Sequence, residues 1–372
     1  MIIMALDHVR DLIHIHSVIQ SPTDLSTTTP VLFFTRWITY LCAPIFVFLA
    51  GTSAYLSSSM NADIKSTRRF LFQRGVWLIL LEFIVVNFGL YFDLGYHTIL
   101  FEVIASTGLG FIMLGFILKL PAKTIGIIGV TILFSHNLAA LIPLSATSII
   151  KQVLMPFFAP GAFSIGSRTV IMGYPPIPWL GIMLLGFGAG KIFQWGIIQR
   201  KRLWLNLGLA SILLFLIIRF INIYGDSSPW SVQKNPALTI LSFLNVSKYP
   251  PSLVFCLVTL GIMFLIFAYA DGIKNKFIEL VSVYGRVPLF YFLIHFYFIH
   301  IILIVIILVQ GFDWSSLDFT SGQFGRPKGV ESGLSLIGVY LVWIAVVIIL
   351  YLPCYWYGKF KRVHTYWWLK YL

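Results

Sequence analysis

Apolar runs of about twenty residues recur along this chain, separated by short connections rich in Pro, Gly, Ser and charge. The hydrocarbon core of a bilayer is roughly 30 Å thick and takes about 20 residues of helix to cross. The runs therefore predict membrane-spanning helices over residues 31–58, 70–92, 98–118, 123–144 and 175–195, and again over 203–223, 250–270, 281–309 and 333–357. With a first segment at 1–18, about ten spans are expected, in an all-α, polytopic helix bundle forming one membrane domain over 1–372. The chain begins inside the first span, which is expected to be short at its N-terminal end and to carry no cleavable signal peptide.

Charge orients the bundle. One set of connections is basic: Lys65, Arg68, Arg69 and Arg74; Lys119 and Lys123; Arg200, Lys201 and Arg202; Lys274, Lys276 and Arg286; Lys359, Lys361, Arg362 and Lys370. The alternate set, 20–29, 93–97, 145–173, 222–249 and 310–332, holds few or scattered charges. Basic loops stay in the cytoplasm, so both termini are expected there and the long loops outside, across a bacterial inner (plasma) membrane. Composition agrees: 59% of residues are hydrophobic and 10% charged, against roughly a quarter charged in soluble domains. The net charge of +13 then reads as topology, and no nucleic-acid partner is expected. Cys42, Cys256 and Cys354 lie in apolar runs, without the spacing of a disulfide framework or a zinc site.

The first segment breaks the apolar rule. Asp7, His8, Arg10, Asp11 and His14 fall within eight residues. An ionisable group at the bilayer centre costs roughly 2.5–3.5 kcal/mol on insertion scales, so it faces a cavity or a partner. On a helix Asp7, Asp11 and His14 share one flank at i, i+4 and i+7, with Arg10 beside them and His8 about 100° around. A neutral imidazole can take a proton from an attacking amine or hydroxyl, and a carboxylate can orient it. The plainer alternative is an ion-paired helix face, Asp7 with Arg10 and Asp11 with His14, that only packs the bundle. Elsewhere, His295 and His300 sit in an aromatic run, and Glu82 and Asn87 lie inside a span, where a lined cavity would explain them. Glu102 stands at an outer helix start, Arg36 near an outer end where it could snorkel, and Ala50, Gly51 and Ala54 suit close helix packing. Two outer corners, Tyr174-Pro175-Pro176 and Tyr249-Pro250-Pro251, read as helix starts aimed at a shared vestibule. No P-loop, dinucleotide fingerprint, His-Glu-x-x-His helix or serine elbow occurs.

Several segments carry a resemblance. Residues 1–11, Met-Ile-Ile-Met-Ala-Leu-Asp-His-Val-Arg-Asp, are similar to the first-span signature of bacterial proteins related to heparan-α-glucosaminide N-acetyltransferase. So are Phe33 through Thr39 followed by Cys42-Ala43-Pro44 and Phe46 through Gly51, and so are Tyr174 through Gly181, Tyr249 through Ser252 and Tyr284 through Leu289. The resemblance implies a multi-span acyltransferase that takes acetyl from cytoplasmic acetyl-CoA and delivers it to a sugar on the far side, with no metal. It implies a catalytic histidine on or near the first span, as base or acyl carrier. Two departures from the family's pattern are a missing leader before the first motif and Tyr40, where a histidine is expected.

The expectation is thus a membrane acetyltransferase acting on an external amino sugar or glycan. Its catalytic candidates are His8, Asp7, His14 and Asp11. Arg10, Arg36, Glu82, Glu102, Trp179 and His295 are expected around the acceptor, and Arg68, Arg69, Arg74 and Arg286 around the CoA phosphates. The partners expected are the lipid bilayer and the glycan, and a homodimer stays open. A proton-coupled transporter or flippase, using the same buried Asp and His, and an inactive structural relative are the open alternatives.

Overall fold

The computed structural model describes residues 1–60, 63–141 and 148–371. The chain is a bundle of helices: α1 (Ile2–Ile13), α2 (Pro30–Thr39), α3 (Cys42–Met60), α4 (Ile64–Leu81) and α5 (Asn87–Tyr91) come first. After strand β1 (Thr98–Phe101) follow α6 (Val103–Ile117), α7 (Ala122–Ser135) and α8 (Ile149–Phe158). Strands β2 (Gly161–Ile165) and β3 (Arg168–Met172) lead into α9 (Pro176–Ala189), α10 (Ile197–Ile221) and α11 (Pro236–Leu244). The last four are α12 (Leu253–Ala270), α13 (Lys276–Arg286), α14 (Pro288–Val309) and α15 (Leu336–Val363). Among the described residues eight helical segments are long and apolar enough to cross a membrane, which makes this a multi-pass membrane protein. The 12-residue α1 and the 15-residue α6 are shorter than that.

Where the observed elements depart from the apolar runs, proline is often the reason. The run 31–58 is broken at Tyr40 and Leu41, between α2 and α3. Pro44 cannot donate to the carbonyl of Tyr40, and its ring crowds that carbonyl. The run 281–309 is likewise two helices, because Pro288 drives Val287 out of the helical region (φ −134°, ψ 52°). The run 123–144 ends in a 3-10 turn at His136–Leu141, and its last three residues lie outside the described ones. The run 98–118 starts not as helix but as β1, which pairs in parallel with β3, while β2 pairs antiparallel to β3. No strand was expected from the sequence.

Between α4 and α5 the rod widens into a π turn over Glu82–Val86. Other groups satisfy the carbonyls there: Tyr96 donates to Ile84 (2.8 Å) and Tyr297 to Val85 (2.7 Å). Asn87 donates to the carbonyls of Glu82 (2.8 Å) and Leu100 (2.9 Å) and accepts from the Leu100 N–H. The turn and β1 are thereby stitched together, which sets the position of Glu102 just beyond the strand.

Helices α3 and α9 touch backbone to backbone. Gly51 faces the Met183 carbonyl and Gly186 faces the Phe48 carbonyl, leaving no room for a Cβ at either. Thr52 adds a bond to the Gly186 carbonyl (3.0 Å). The expectation of close packing at Gly51 therefore has a specific partner. Helix α1 is held among α2, α14 and α15.

The far end of α1 is gripped by the connection between α14 and α15. The Leu334 N–H donates to Ile13 and the Ile15 N–H returns to Leu334. Arg326 donates to the carbonyls of Leu12 (2.6 Å), His14 (3.0 Å) and Ser332 (2.6 Å). A cation suits the last carbonyls of a helix, which have no intrahelical donors. Arg326→Met should therefore lower stability by about 2–3 kcal/mol, the cost of several buried acceptors losing a charged donor. Thermal unfolding in detergent would measure it, and Arg326→Lys should recover little because one ammonium cannot replace the fork. An unchanged melting point in Arg326→Met would refute this role.

Candidate active site

Helix α1 carries its charges on two faces with different partners. Asp7 points toward α2, where its Oδ1 accepts from Arg36 (2.5 Å) and Thr39 (2.9 Å), and from Arg10 one turn along (2.8 Å). Its Oδ2 lies 3.7 Å from the ammonium of Lys248. Arg10 bridges to Asp11 as well (2.5 Å), and Arg36 stands 3.9 Å from the other Asp11 oxygen. Asp7, Arg10 and Lys248 are each at most 6% exposed, so the cluster exists only because every charge has a counter-charge within reach.

Lys248 reaches the cluster from the turn between α11 and α12. Asp226 holds that turn, accepting from the Ser247 N–H (3.1 Å) and from the hydroxyls of Ser247 (2.6 Å) and Ser252 (2.8 Å). The ammonium sits among three tyrosine rings, 5.1 Å from the centre of Tyr249 and 5.9 Å from Tyr40 and Tyr174. Burial alone would push its pKa down, but Tyr249 and Asp7 outweigh burial and hold it above the ordinary lysine value. It stays a cation. Tyr40, at the position where a histidine was expected, instead packs its ring 5.5 Å from the Arg36 guanidinium.

Beside this cluster lies a chamber of about 230 Å³. Its polar wall holds Asp7, His8, Asp11, Glu102, Lys248 and Tyr249, and aromatic side chains such as Tyr91, Tyr174 and Phe324 close it. The two Tyr-Pro-Pro corners do meet here: the hydroxyls of Tyr174 and Tyr249 are 3.4 Å apart. Only the first begins a helix directly, α9 at Pro176; α12 starts at Leu253, capped by the Ser252 hydroxyl.

The other face of α1 presents His8 to α14. Its ring centre is 4.5 Å from Phe296, 6.5 Å from Phe292 and 5.1 Å from His295. His295 is fully buried. Its Nδ1 lies 3.1 Å and 2.5 Å from the carbonyls of Tyr291 and Phe292. Carbonyls only accept, so Nδ1 carries the hydrogen and Nε2 the lone pair. That Nε2 has no partner among the described residues.

A second cavity, about 850 Å³ and mostly apolar, runs between α3 and α13 on the basic side of the bundle. Arg74 and Lys361 stand at its edge, and Met1, Cys42 and Phe46 are common to its wall and that of the chamber. A polar cleft of about 500 Å³ adjoins it through Ser57 and Phe70 and is lined by Ser66, Thr67, Arg69, Gln73 and Lys370.

The structure brings together Asp7, His8, Asp11, Arg36 and Glu102, with His295 behind His8. Others from the sequence expectation lie elsewhere. His14 is not on the flank of Asp7 and Asp11, because α1 ends at Ile13 and His14 turns extended (ψ 132°), its ring against His16. Arg10 gives its Nη2 to Asp7 and Asp11 and lies off the chamber wall, with its Nη1 buried and without a partner among the described residues. Arg36 does not snorkel but turns inward. Glu82 lies behind the wall, with Oε2 accepting from the Ala105 N–H (3.2 Å) at the start of α6 and Oε1 without a partner among the described residues. Trp179 packs behind Tyr174, 4.8 Å between ring centres. Arg69 lines the polar cleft and Arg74 the apolar cavity, whereas Arg68 and Arg286 line neither. His300 bonds to the Gly89 carbonyl (3.2 Å) and stacks on Phe92, as packing. Among the described residues no group of three or more His, Cys, Asp or Glu could hold a metal.

Residues 1–229 match the heparan-alpha-glucosaminide N-acetyltransferase catalytic family. This chain belongs to that family. No curated protein matches it. The matched portion holds α1 to α10, and with them Asp7, His8, Asp11, Arg36, Glu102 and Tyr174. Lys248, Tyr249 and His295 complete the site from beyond it. The family name marks a membrane acetyltransferase.

Proposed function

We propose that this protein moves an acetyl group from cytoplasmic acetyl-CoA to the amine of an amino sugar or related glycan on the opposite side of the membrane. The observation that carries this reading is the wall shared by the two cavities at Met1, Cys42 and Phe46. A long co-substrate with phosphates at one end and a thioester at the other suits such a path. Its nucleotide would lie against Arg69 and Lys370 in the polar cleft and its pantetheine arm along the apolar cavity. Its acetyl group would then reach the junction beside His8.

In the transfer the acceptor nitrogen attacks the thioester carbonyl carbon, a C–N bond forms and the C–S bond breaks, and CoA leaves as thiolate. The proton lost by the nitrogen goes to His8, the imidazole on the chamber wall. Asp11 and Glu102 face the same space and suit an amine and sugar hydroxyls; Tyr91 and Phe324 offer ring faces to a sugar. No nucleotide hydrolysis or metal is needed, because a thioester is already activated.

The test is transfer of labelled acetyl from acetyl-CoA to glucosamine by the purified protein in proteoliposomes, with CoA binding measured in parallel. Absence of both, with no transfer to any amino sugar and no CoA binding, would sink the reading. Within it, Arg69→Gln should raise the KM for acetyl-CoA about tenfold, the worth of one charge-assisted phosphate contact, and leave the KM for the acceptor in place. Ala50→Phe, which fills the apolar cavity, should do the same. An acceptor KM that moves instead would place the co-substrate elsewhere.

A further inference from the structure

The sequence suggests a carboxylate, Asp7 or Asp11, as the group that orients His8. The geometry removes both. Asp7 Oδ1 already accepts from Arg10, Arg36 and Thr39, and its Oδ2 faces Lys248. Asp11 is engaged by Arg10 and Arg36. Neither carboxylate pairs with His8 among the described residues. A base that takes a proton nevertheless needs an acceptor for the N–H of the imidazolium it becomes, above all among Phe292 and Phe296.

His295 has what that role requires. In the neutral ring its Nδ1–H goes to two main-chain carbonyls of its own helix, and Nε2 keeps a lone pair able to accept. That lone pair is fully buried without a partner among the described residues, an arrangement that ordinarily costs free energy and calls for an explanation. The ring centres of His8 and His295 are 5.1 Å apart. A linear N–H···N bond of about 2.9 Å between two imidazoles puts their centres roughly 5 Å apart, so a small rotation of His8 completes it. We infer that His295 is the positioning residue of the site: it accepts a hydrogen bond from the imidazolium formed on His8, fixing which His8 nitrogen faces the chamber and stabilising the transient charge.

This rests on the acyl-transfer reading for its purpose, though not for its chemistry. The proton passes from the acceptor nitrogen to His8 and stays there until released; His295 takes a hydrogen bond only. The charged groups around His8 are Asp7 and Asp11 on α1, Arg36 on α2 and Lys248 on the turn before α12, and the amino group of Met1 lies near His295. None of these is altered in the test.

The test compares full-length wild type with His295→Leu and His295→Gln. Glutamine keeps an amide N–H for the carbonyls and an oxygen able to accept from His8; leucine keeps neither. Two readouts are taken: kcat for acetyl transfer against pH, and the pH dependence of His8 modification by diethyl pyrocarbonate, followed by mass spectrometry. We expect His295→Leu to lower kcat about 10- to 100-fold, as for a lost hydrogen bond to a charged group. Its His8 titration should move to lower pH, since the charged form has lost its acceptor. His295→Gln should recover most of both. Unchanged kcat and titration in His295→Leu, or a folded His295→Gln no better than leucine, would overturn the inference. If His295→Leu does not fold, His295→Phe takes its place. If wild type transfers no acetyl, the acyltransferase reading fails, and the His8 titration still decides the pairing by itself.

Discussion

Asp7→Leu is expected to be the most destabilising single substitution in the chain, lowering stability by about 3–5 kcal/mol, the usual cost of stripping buried charges of their partner. One carboxylate stands among three cations, Arg10, Arg36 and Lys248, and its Oδ1 alone accepts from two guanidiniums and a hydroxyl. With that carboxylate gone Arg36 keeps the 3.9 Å approach of Asp11 and the Tyr40 ring, and Lys248 keeps Tyr249 and the tyrosine rings around it but no carboxylate in an ion pair. Asp7→Asn should also destabilise, because its NH2 must face a cation wherever the Asp7 oxygens stood. The measurement is thermal unfolding in detergent. A second substitution sharpens it: Arg36→Met in the Asp7→Leu background should restore part of the loss, since one orphaned charge disappears. An Asp7→Leu protein as stable as wild type would show that water, not Asp7, satisfies these cations.

How far this cluster was legible in the sequence depends on which residues one asks about. Asp7, Arg10 and Asp11 are visible at once, because charge in an apolar helix is conspicuous and their spacing places them within one turn. Arg36 is visible as a charge but not as a partner, since nothing in the order of residues says that α2 folds its end back against α1. Lys248 was missed altogether. It sits in a polar connection where a lysine is unremarkable, and only the fold carries it across 241 positions of chain to Asp7. The single local hint is its neighbour, the Tyr249-Pro250-Pro251 corner that pairs with Tyr174-Pro175-Pro176.

Helix ends follow the same logic. Apolar runs mark membrane helices well, because the bilayer imposes the length; they mark interruptions badly, because an interruption needs no polar residue. The break at Tyr40 and Leu41 was signalled by Pro44, and that at Val287 by Pro288, but neither shows in hydropathy. The failure at His14 has another cause. Extending the helical pattern to i+7 assumed that α1 continues, whereas Arg326 and Leu334, more than 300 residues away, take the carbonyls and end it. The sheet was illegible for want of contrast: residues 98–101 are as apolar as the helix that follows them.

His8→Gln should have the opposite profile to Asp7→Leu. We expect acetyl transfer to fall by a factor of about 10² to 10⁴, the range for loss of a general base, with a melting point close to wild type. The reason lies in the contacts. His8 forms no ion pair and no hydrogen bond among the described residues; it packs against Phe292 and Phe296 and opens on the chamber, and a glutamine of similar size fills the same space. Asp7, by contrast, makes many contacts and is committed to all of them. On the proposed reading, two adjacent residues of α1 divide the tasks, with Asp7 facing α2 to hold the cations and His8 facing α14 to take the proton. If His8→Gln turned over normally while Asp7→Leu failed, the cluster would be a fold determinant only and the base would have to be sought elsewhere on the chamber wall. Glu102, which lines the same space, would be the next group to test.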